Sequence, residues 1–208
     1  MSGTVSINPY ATTTPQNSFL VQTQGYYQGA PYDDPIARLW LASGTLKSSE
    51  TMVMWGGVPI FEYVTVAGSG ADGLGPQVGR ATSQATTTGW STNLQMNSMV
   101  VTPGNSVPLA GIGNSVGFFR NGTNQRLAVQ IDPALVTTLT SADALINATA
   151  LYWDVTNYRV TATTTGGNFA LPTTTKLLSI NTNSQVVSYN SGTGAVTWTT
   201  GDAAIILI

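Results

Sequence analysis

The chain has no cysteine and no histidine, and only 8% of its 208 residues are charged. Without cysteine there is no disulfide framework, no thiolate metal site and no thiol nucleophile. Without histidine, the commonest general base and the commonest transition-metal ligand are both missing. Soluble domains carry about 25% charged residues, so this one must stay in solution by other means. Seven basic against nine acidic residues give a net charge of −2, and the basic ones are scattered. That pattern argues against phosphate-driven binding to nucleic acid. The N-terminus, Met1-Ser2-Gly3-Thr4-Val5, has neither a basic start nor an apolar stretch, so no secretory signal is expected. The longest terminal apolar run, Ala203 to Ile208, falls far short of the ~20 residues that span a bilayer, and no membrane partner is expected.

What fills the gaps between apolar runs is Thr, Ser, Asn, Gln and Gly. A hydrophobic fraction of 42% and a mean hydropathy of +0.09 exclude disorder of the charged, apolar-poor kind. The length fits one domain or two small ones, burying roughly 70% of the unfolded surface. A coat of hydroxyls and amides is cheaper to desolvate against a partner than a coat of ions. Few Lys and Glu side chains also leave little rotamer entropy to lose at a contact. The same composition equally describes a β protein with a Thr-rich solvent face, because Thr favours strands.

Residues 1–32 read as an extended arm followed by a β-rich domain over 33–208. Pro9, Pro15 and Pro31 oppose helix and Gly25 and Gly29 interrupt strands. The arm carries Phe19, Leu20, Val21, Tyr26, Tyr27 and Tyr32 without periodicity, the mark of a segment docked on its own domain or on a neighbour. Strands are predicted at Ile36–Leu41, at Thr51–Trp55 and at Val58–Val66, the last two separated by Gly56-Gly57. Pro59 marks an edge strand or a strand entrance. Residues 67–79 read as a Gly-rich loop, and 80–95 as polar chain with room for a little helix. Val116–Arg120 and Arg126–Ile131 are predicted to form a hairpin across Asn121-Gly122. Asp132 then reads as an N-cap with Pro133 at the first helical position, opening a short helix through Leu139, with a weaker one at Ser141–Asn147. Tyr152–Thr161 alternates as one strand. Val186–Tyr189 and Ala195–Thr199 pair across Ser191-Gly192-Thr193-Gly194, and Ala203–Ile208 closes the chain as a buried strand. The expected fold is mainly β: a sandwich or barrel of short antiparallel strands with one or two short helices.

Chemical motifs are few. Gly68, Gly70 and Gly73 match G-x-G-x-x-G, but Leu74-Gly75-Pro76 follows where a helix must open, and no acid lies between Asp72 and Asp132 to hold a ribose. This is a loop. Asp33 and Asp34 are adjacent, so they read as caps or turn formers and not as a catalytic pair, and with Asp72 they fit no calcium loop. Trp40, Trp55, Trp90, Trp153 and Trp198 are mostly in apolar strands, where core packing is the default. Trp90, in Thr88-Gly89-Trp90-Ser91, looks least like core and most like part of a sugar platform. Asn121-Gly122-Thr123 and Asn147-Ala148-Thr149 fit a glycosylation sequon by chance. No catalytic residue, metal or cofactor is expected.

Several phrases taken together carry a resemblance. They are Tyr26-Tyr27-Gln28-Gly29-Ala30-Pro31-Tyr32, Asp34-Pro35, Leu41-Ala42-Ser43-Gly44 and Met54-Trp55-Gly56-Gly57-Val58-Pro59-Ile60. Leu74-Gly75-Pro76 with Arg80-Ala81-Thr82, Arg126-Leu127-Ala128-Val129 and Gly194-Ala195-Val196-Thr197-Trp198 with Gly201-Asp202-Ala203-Ala204-Ile205 complete the set. Over residues 26–208 the chain resembles the capsid cement, or decoration, proteins of tailed double-stranded DNA bacteriophages. The resemblance implies a non-enzymatic virion protein, made in the bacterial host cytoplasm, that binds the capsid exterior as a dimer or trimer. Its partners would be the major capsid protein and copies of itself, with Tyr26, Tyr27 and Tyr32 as partner-binding anchors. The competing expectation is a glycan-binding head-fibre or tail accessory module.

Overall fold

The computed structural model describes residues 25–32, 40–65, 75–93, 107–140 and 149–208. Among them the chain is mainly β, with one α-helix. Five strands close a small barrel: β1 (Ala42–Leu46), β2 (Pro59–Tyr63), β3 (Gln77–Arg80), β4 (Gly89–Ser91) and β5 (Ser115–Arg120). Their order around the barrel is β1-β3-β2-β4-β5, with β5 returning to β1. All pairs are antiparallel except β1 with β3, which run parallel at Thr45–Gln77 and Leu46–Val78, so the expectation of a purely antiparallel fold needs that correction. Closure leaves the barrel without a free edge.

A second sheet has the order β10-β11-β6, formed by β6 (Arg126–Gln130), β10 (Lys176–Tyr189) and β11 (Val196–Leu207). The third is a small sheet of β7 (Tyr152–Asp154), β8 (Arg159–Thr161) and β9 (Phe169–Ala170), with β7 in the centre. One continuous apolar core joins them: Trp55, Val58, Ile60 and Phe118 from the barrel meet Leu127, Val129, Val187 and Ile206 from the second sheet and Trp153 from the third. Trp90 and Trp153 meet edge to face, centroids 5.7 Å apart, and so tie β4 to β7.

Helix α1 (Pro133–Thr140) begins as the sequence requires. Asp132 Oδ1 accepts the Ala134 amide at 3.0 Å, and Pro133 occupies the first turn, where a missing N–H costs nothing. Leu135 and Val136 face the core, while the outward Thr137 and Thr138 hydroxyls bond back to the carbonyls of Pro133 and Ala134. The β10–β11 hairpin also forms as expected, with Val187 opposite Trp198 and Tyr189 opposite Val196. It is longer than expected, because the buried terminal strand is the continuation of β11 and not a separate element.

Other elements differ. The Asn121-Gly122 turn is present, but the strands it joins do not pair with each other: β5 belongs to the barrel and β6 bonds to β11. Tyr152–Thr161 is not one strand but the β7–β8 hairpin, reversed at Asp154 by amides of Thr156 and Asn157 donating to its carboxylate. Thr51–Trp55 reduces to a single bridge between Met54 and Ala110. Gln77–Gly79, read as loop, lies in β3. Of Ile36–Leu41 only Trp40 and Leu41 are described; neither is strand, and β1 starts at Ala42. Pro59 does open β2, yet that strand is paired on both sides and is no edge. Residues 84–86 form the little helix expected in 80–95, as one 3-10 turn. The helix expected at 141–147, the Gly68–Gly73 motif, Asp33, Asp34, Asp72, Asn147 and residues 1–24 of the arm lie outside the described residues.

Candidate interaction surface

Tyr26, Tyr27 and Tyr32 fall in a short strap, residues 25–32, that the sequence assigns to the arm. The strap is bonded into the β-rich body along its length. Its first half runs parallel to β10, with Gln185 N donating to Tyr26 O at 2.8 Å and Gln28 N to Gln185 O at 2.9 Å. Its second half lies against β6: Gly29 N donates to Ala128 O, Ala128 N to Ala30 O, and Tyr32 N to Arg126 O. The strap therefore bonds to both outer strands of the second sheet. Between the halves, the Gln28 side chain is fully buried, and its Oε1 accepts the Val187 amide at 2.7 Å. The turn that allows this is Gly29, at φ +79, whose missing Cβ would fall 2.5 Å from Gly56 Cα. Asn93 and Thr92, just past β4, bond to the carbonyls of Gln28 and Gly29, so the strap also joins sheet to barrel.

The three tyrosines are half-buried, each held by a named contact. Tyr26 Oη shares a hydrogen bond with Ser179 Oγ at 3.0 Å, and its ring meets Tyr32 edge to face at 5.5 Å. Tyr27 meets Trp198 of β11 edge to face at 5.4 Å. Tyr32 Oη accepts the Tyr27 amide at 3.1 Å, and burial pushes the Tyr32 phenol above its ordinary pKa. The structure thus brings Tyr26, Tyr27 and Tyr32 together and adds Trp198 to them, all four partly exposed.

Next to this group the β10–β11 hairpin presents Ser188, Thr197, Thr199 and Thr200 to solvent, ending in an exposed turn from Asn190 to Ala195. From Leu177 to Gly201 it contains no charged residue. This ribbon is one part of the low-charge, hydroxyl-rich surface inferred from composition.

Trp90, expected to be the most surface-like tryptophan, is fully buried, which removes it from any sugar platform. Its polar neighbours misled: Ser91 is itself internal, its hydroxyl donating to Trp55 O at 2.7 Å. Trp55 and Trp153 are core as well, and Trp40 is the exposed one, at 64%.

Sequence reasoning missed a buried cluster centred on Arg80. Its guanidinium pairs with Glu50 Oε2 at 3.0 Å, donates to the carbonyls of Met52 and Val53, and lies over the Trp55 and Tyr158 rings at 5.1 and 5.9 Å. Tyr189 of β10 completes the aromatic wall, 5.7 Å from Trp55. Burial lowers the Arg80 pKa and the Glu50 carboxylate works against that fall. Tyr158 takes a left-handed backbone at φ +55 to reach its place, held by its amide donating to Asp154 O. The cluster links barrel, second sheet and third sheet, and its charges are matched internally. The only sequence signals were an Arg and a Glu set among apolar strands. A small recess beside Trp55 and Asn93 has most of its polar rim bonded, Ser91 Oγ to Trp55 O, Thr92 Oγ1 to Gly29 O and Gly56 N to Asn93 Oδ1, while the buried Trp55 Nε1 has no partner among the described residues.

Comparison with known proteins gives no match: no family model, no curated protein and no solved structure corresponds to this chain.

Proposed function

We propose that the chain is a non-enzymatic structural protein of a phage virion, a decoration protein that binds the capsid exterior and clamps neighbouring major capsid subunits. The observation that supports this reading is the charge-free stretch of the β10–β11 hairpin from Leu177 to Gly201 beside the aromatic strap. Such a surface meets a partner without stranding ions, and its hydroxyls and amides find new partners at low cost. Tyr26, Tyr27, Tyr32 and Trp198 supply rigid aromatic area of the kind that dominates contact energies. Repeated over a lattice, modest contacts gain by avidity, and a partner that binds only the assembled shell stabilises it. In this reading residues 1–24 act as an extended arm reaching from the strap toward a neighbour, and the barrel with its packed sheets serves as a sandwich-like body.

The test is quantitative mass spectrometry of purified virions, counting this chain against the major capsid protein. A copy number comparable with the shell protein supports decoration. A few copies per particle favours a fibre or tail accessory that touches host glycans, and absence from the particle overturns the reading. The arm's share is tested by deleting residues 1–24 and measuring decoration. The deletion should stop there, because removing residues 25–32 takes out the buried Gln28 and bonds to both outer strands of the second sheet.

A further inference from the structure

In an antiparallel ladder, alternate residues turn their N–H and C=O groups away from the neighbouring strand. On β10 the outward residues are Gln185, Val187 and Tyr189, and the strap takes the first two: Gln185 exchanges bonds with Tyr26 and Gln28, and the Val187 amide donates to Gln28 Oε1. The partners of these three on β11 are Thr200, Trp198 and Val196. The same alternation turns the backbone groups of Val196, Trp198 and Thr200 to the outer side of β11, and the next in the series, Asp202, has its carbonyl bonded there by Ile131 N. Among the described residues nothing bonds to the outward groups of Val196, Trp198 and Thr200, because β6 pairs with β11 only from Ala203 to Leu207. The strap covers one edge of the ribbon at Gln185 and Val187, while among the described residues the other edge has no partner for about 17 Å of strand.

Exposed edges are normally blunted by Lys, by Pro, by a bulge or by an inward charge. Val196-Thr197-Trp198-Thr199-Thr200 has none of these; it is a run of strong β-formers without charge. We infer that this edge is a strand-pairing surface and that its occupant is the same edge of a second copy, antiparallel about a two-fold axis at Trp198. Val196 then faces Thr200 of the other copy, Trp198 faces its counterpart, and every outward donor and acceptor is used. The absence of charge favours it, since an ion at 198 would face its own copy directly and one at 197 or 199 would lie diagonal to its copy. The length also fits. Beyond Thr200 the strand is taken by Ile131 and β6, and the residues of the second copy that pass there are Gly194 and Ala195, the smallest side chains of the turn. The contact is isologous, as a two-fold dimer requires. It deepens the reading above by naming where copies meet, and it is tested on purified protein without capsids, so either can fail alone.

The full-length chain, sedimented over a range of concentrations, should run as a dimer. Thr200→Pro removes an outward N–H that β10 does not use, and should weaken dimerisation at least tenfold while the far-ultraviolet circular dichroism stays unchanged. Thr197→Lys with Thr199→Lys, which places like charges across the axis, should do the same, and Thr199→Val should leave the dimer intact. Hydrogen exchange supplies an independent measure: the Val196, Trp198 and Thr200 amides should be protected at high concentration and exchange freely on dilution. A monomeric wild type, or a dimer that survives both disruptive variants, overturns the inference. So does protection of these amides that does not depend on concentration, because it means that the same chain covers its own edge.

Discussion

Gln28 Oε1 accepts the backbone amide of Val187 at 2.7 Å, joining the strap to the middle of β10 across 159 positions of sequence. The amide faces away from β11 and the site is buried, so no water replaces the bond if it is lost. Gln28→Ala should therefore destabilise the fold by about 1–3 kcal/mol, the cost of leaving a buried donor unmade. Chemical denaturation would measure it, and the Val187 amide should exchange faster in the variant. A loss below the error of the measurement would mean that the strap does not anchor the sheet.

How much of this was legible depended on distance along the chain. The Asp132 cap and the β10–β11 turn are local chemistry, and both were read correctly from a few adjacent residues. Asn121-Gly122 was local too, and the reversal is there, but a turn does not dictate what its flanking strands pair with. Val116–Phe119 and Leu127–Val129 are buried without interruption. Such continuous burial marks strands covered on both faces, whose partners are remote. Gln28 and Arg80 were illegible for the same reason: each is a polar residue whose partners come from elements far away in sequence.

Gly89 of β4 lies tight against β5. A Cβ there would lie 2.2 Å from Phe119 O, a backbone atom that cannot swing aside. Nearby, the Glu62 carboxylate and the Arg120 guanidinium form a bidentate pair between β2 and β5. Gly89→Ala should separate two barrel strands, costing more than about 2 kcal/mol or preventing soluble expression. Gly122→Ala is the control. That glycine sits at φ +85 with open space around it, so only backbone strain of about 1 kcal/mol applies. Equal losses for the two variants would contradict the close approach.

Asp154 sets the acid limit of the third sheet. Burial acts to raise its carboxyl pKa, but hydrogen bonds from Asn157 and Thr156, with Arg159 nearby, outweigh burial and hold it below the ordinary carboxylate value. A folded-state pKa below the unfolded one, about 3.9, gives a definite sign. The stabilisation is complete above that pH and disappears as pH falls through the folded value. Asp154→Asn should cost about 1.5 kcal/mol at neutral pH. The difference from wild type should shrink as the pH is taken from 5 toward 2 in a series of urea unfolding curves. A difference independent of pH would show that the carboxylate's charge contributes nothing.

The Arg80 cluster separates two roles that a buried ion pair can play. Glu50→Ala leaves a guanidinium buried among Trp55, Tyr158 and Tyr189 without its counter-ion, and should cost about 3 kcal/mol. If the pair exists only to satisfy itself, replacing both partners by apolar residues of similar size, Arg80→Met with Glu50→Leu, should restore most of that loss. If Arg80 instead fixes how the sheets meet, through its bonds to the Met52 and Val53 carbonyls, the double variant should stay destabilised and those carbonyls remain orphaned. The second outcome is expected because the guanidinium bonds to two carbonyls that no apolar replacement can satisfy, even though the Trp55, Tyr158 and Tyr189 rings also pack on one another. Near-ultraviolet circular dichroism distinguishes the cases: retained stability with an altered tryptophan signal would place the cluster's worth in packing alone, whereas loss of both would assign it to Arg80.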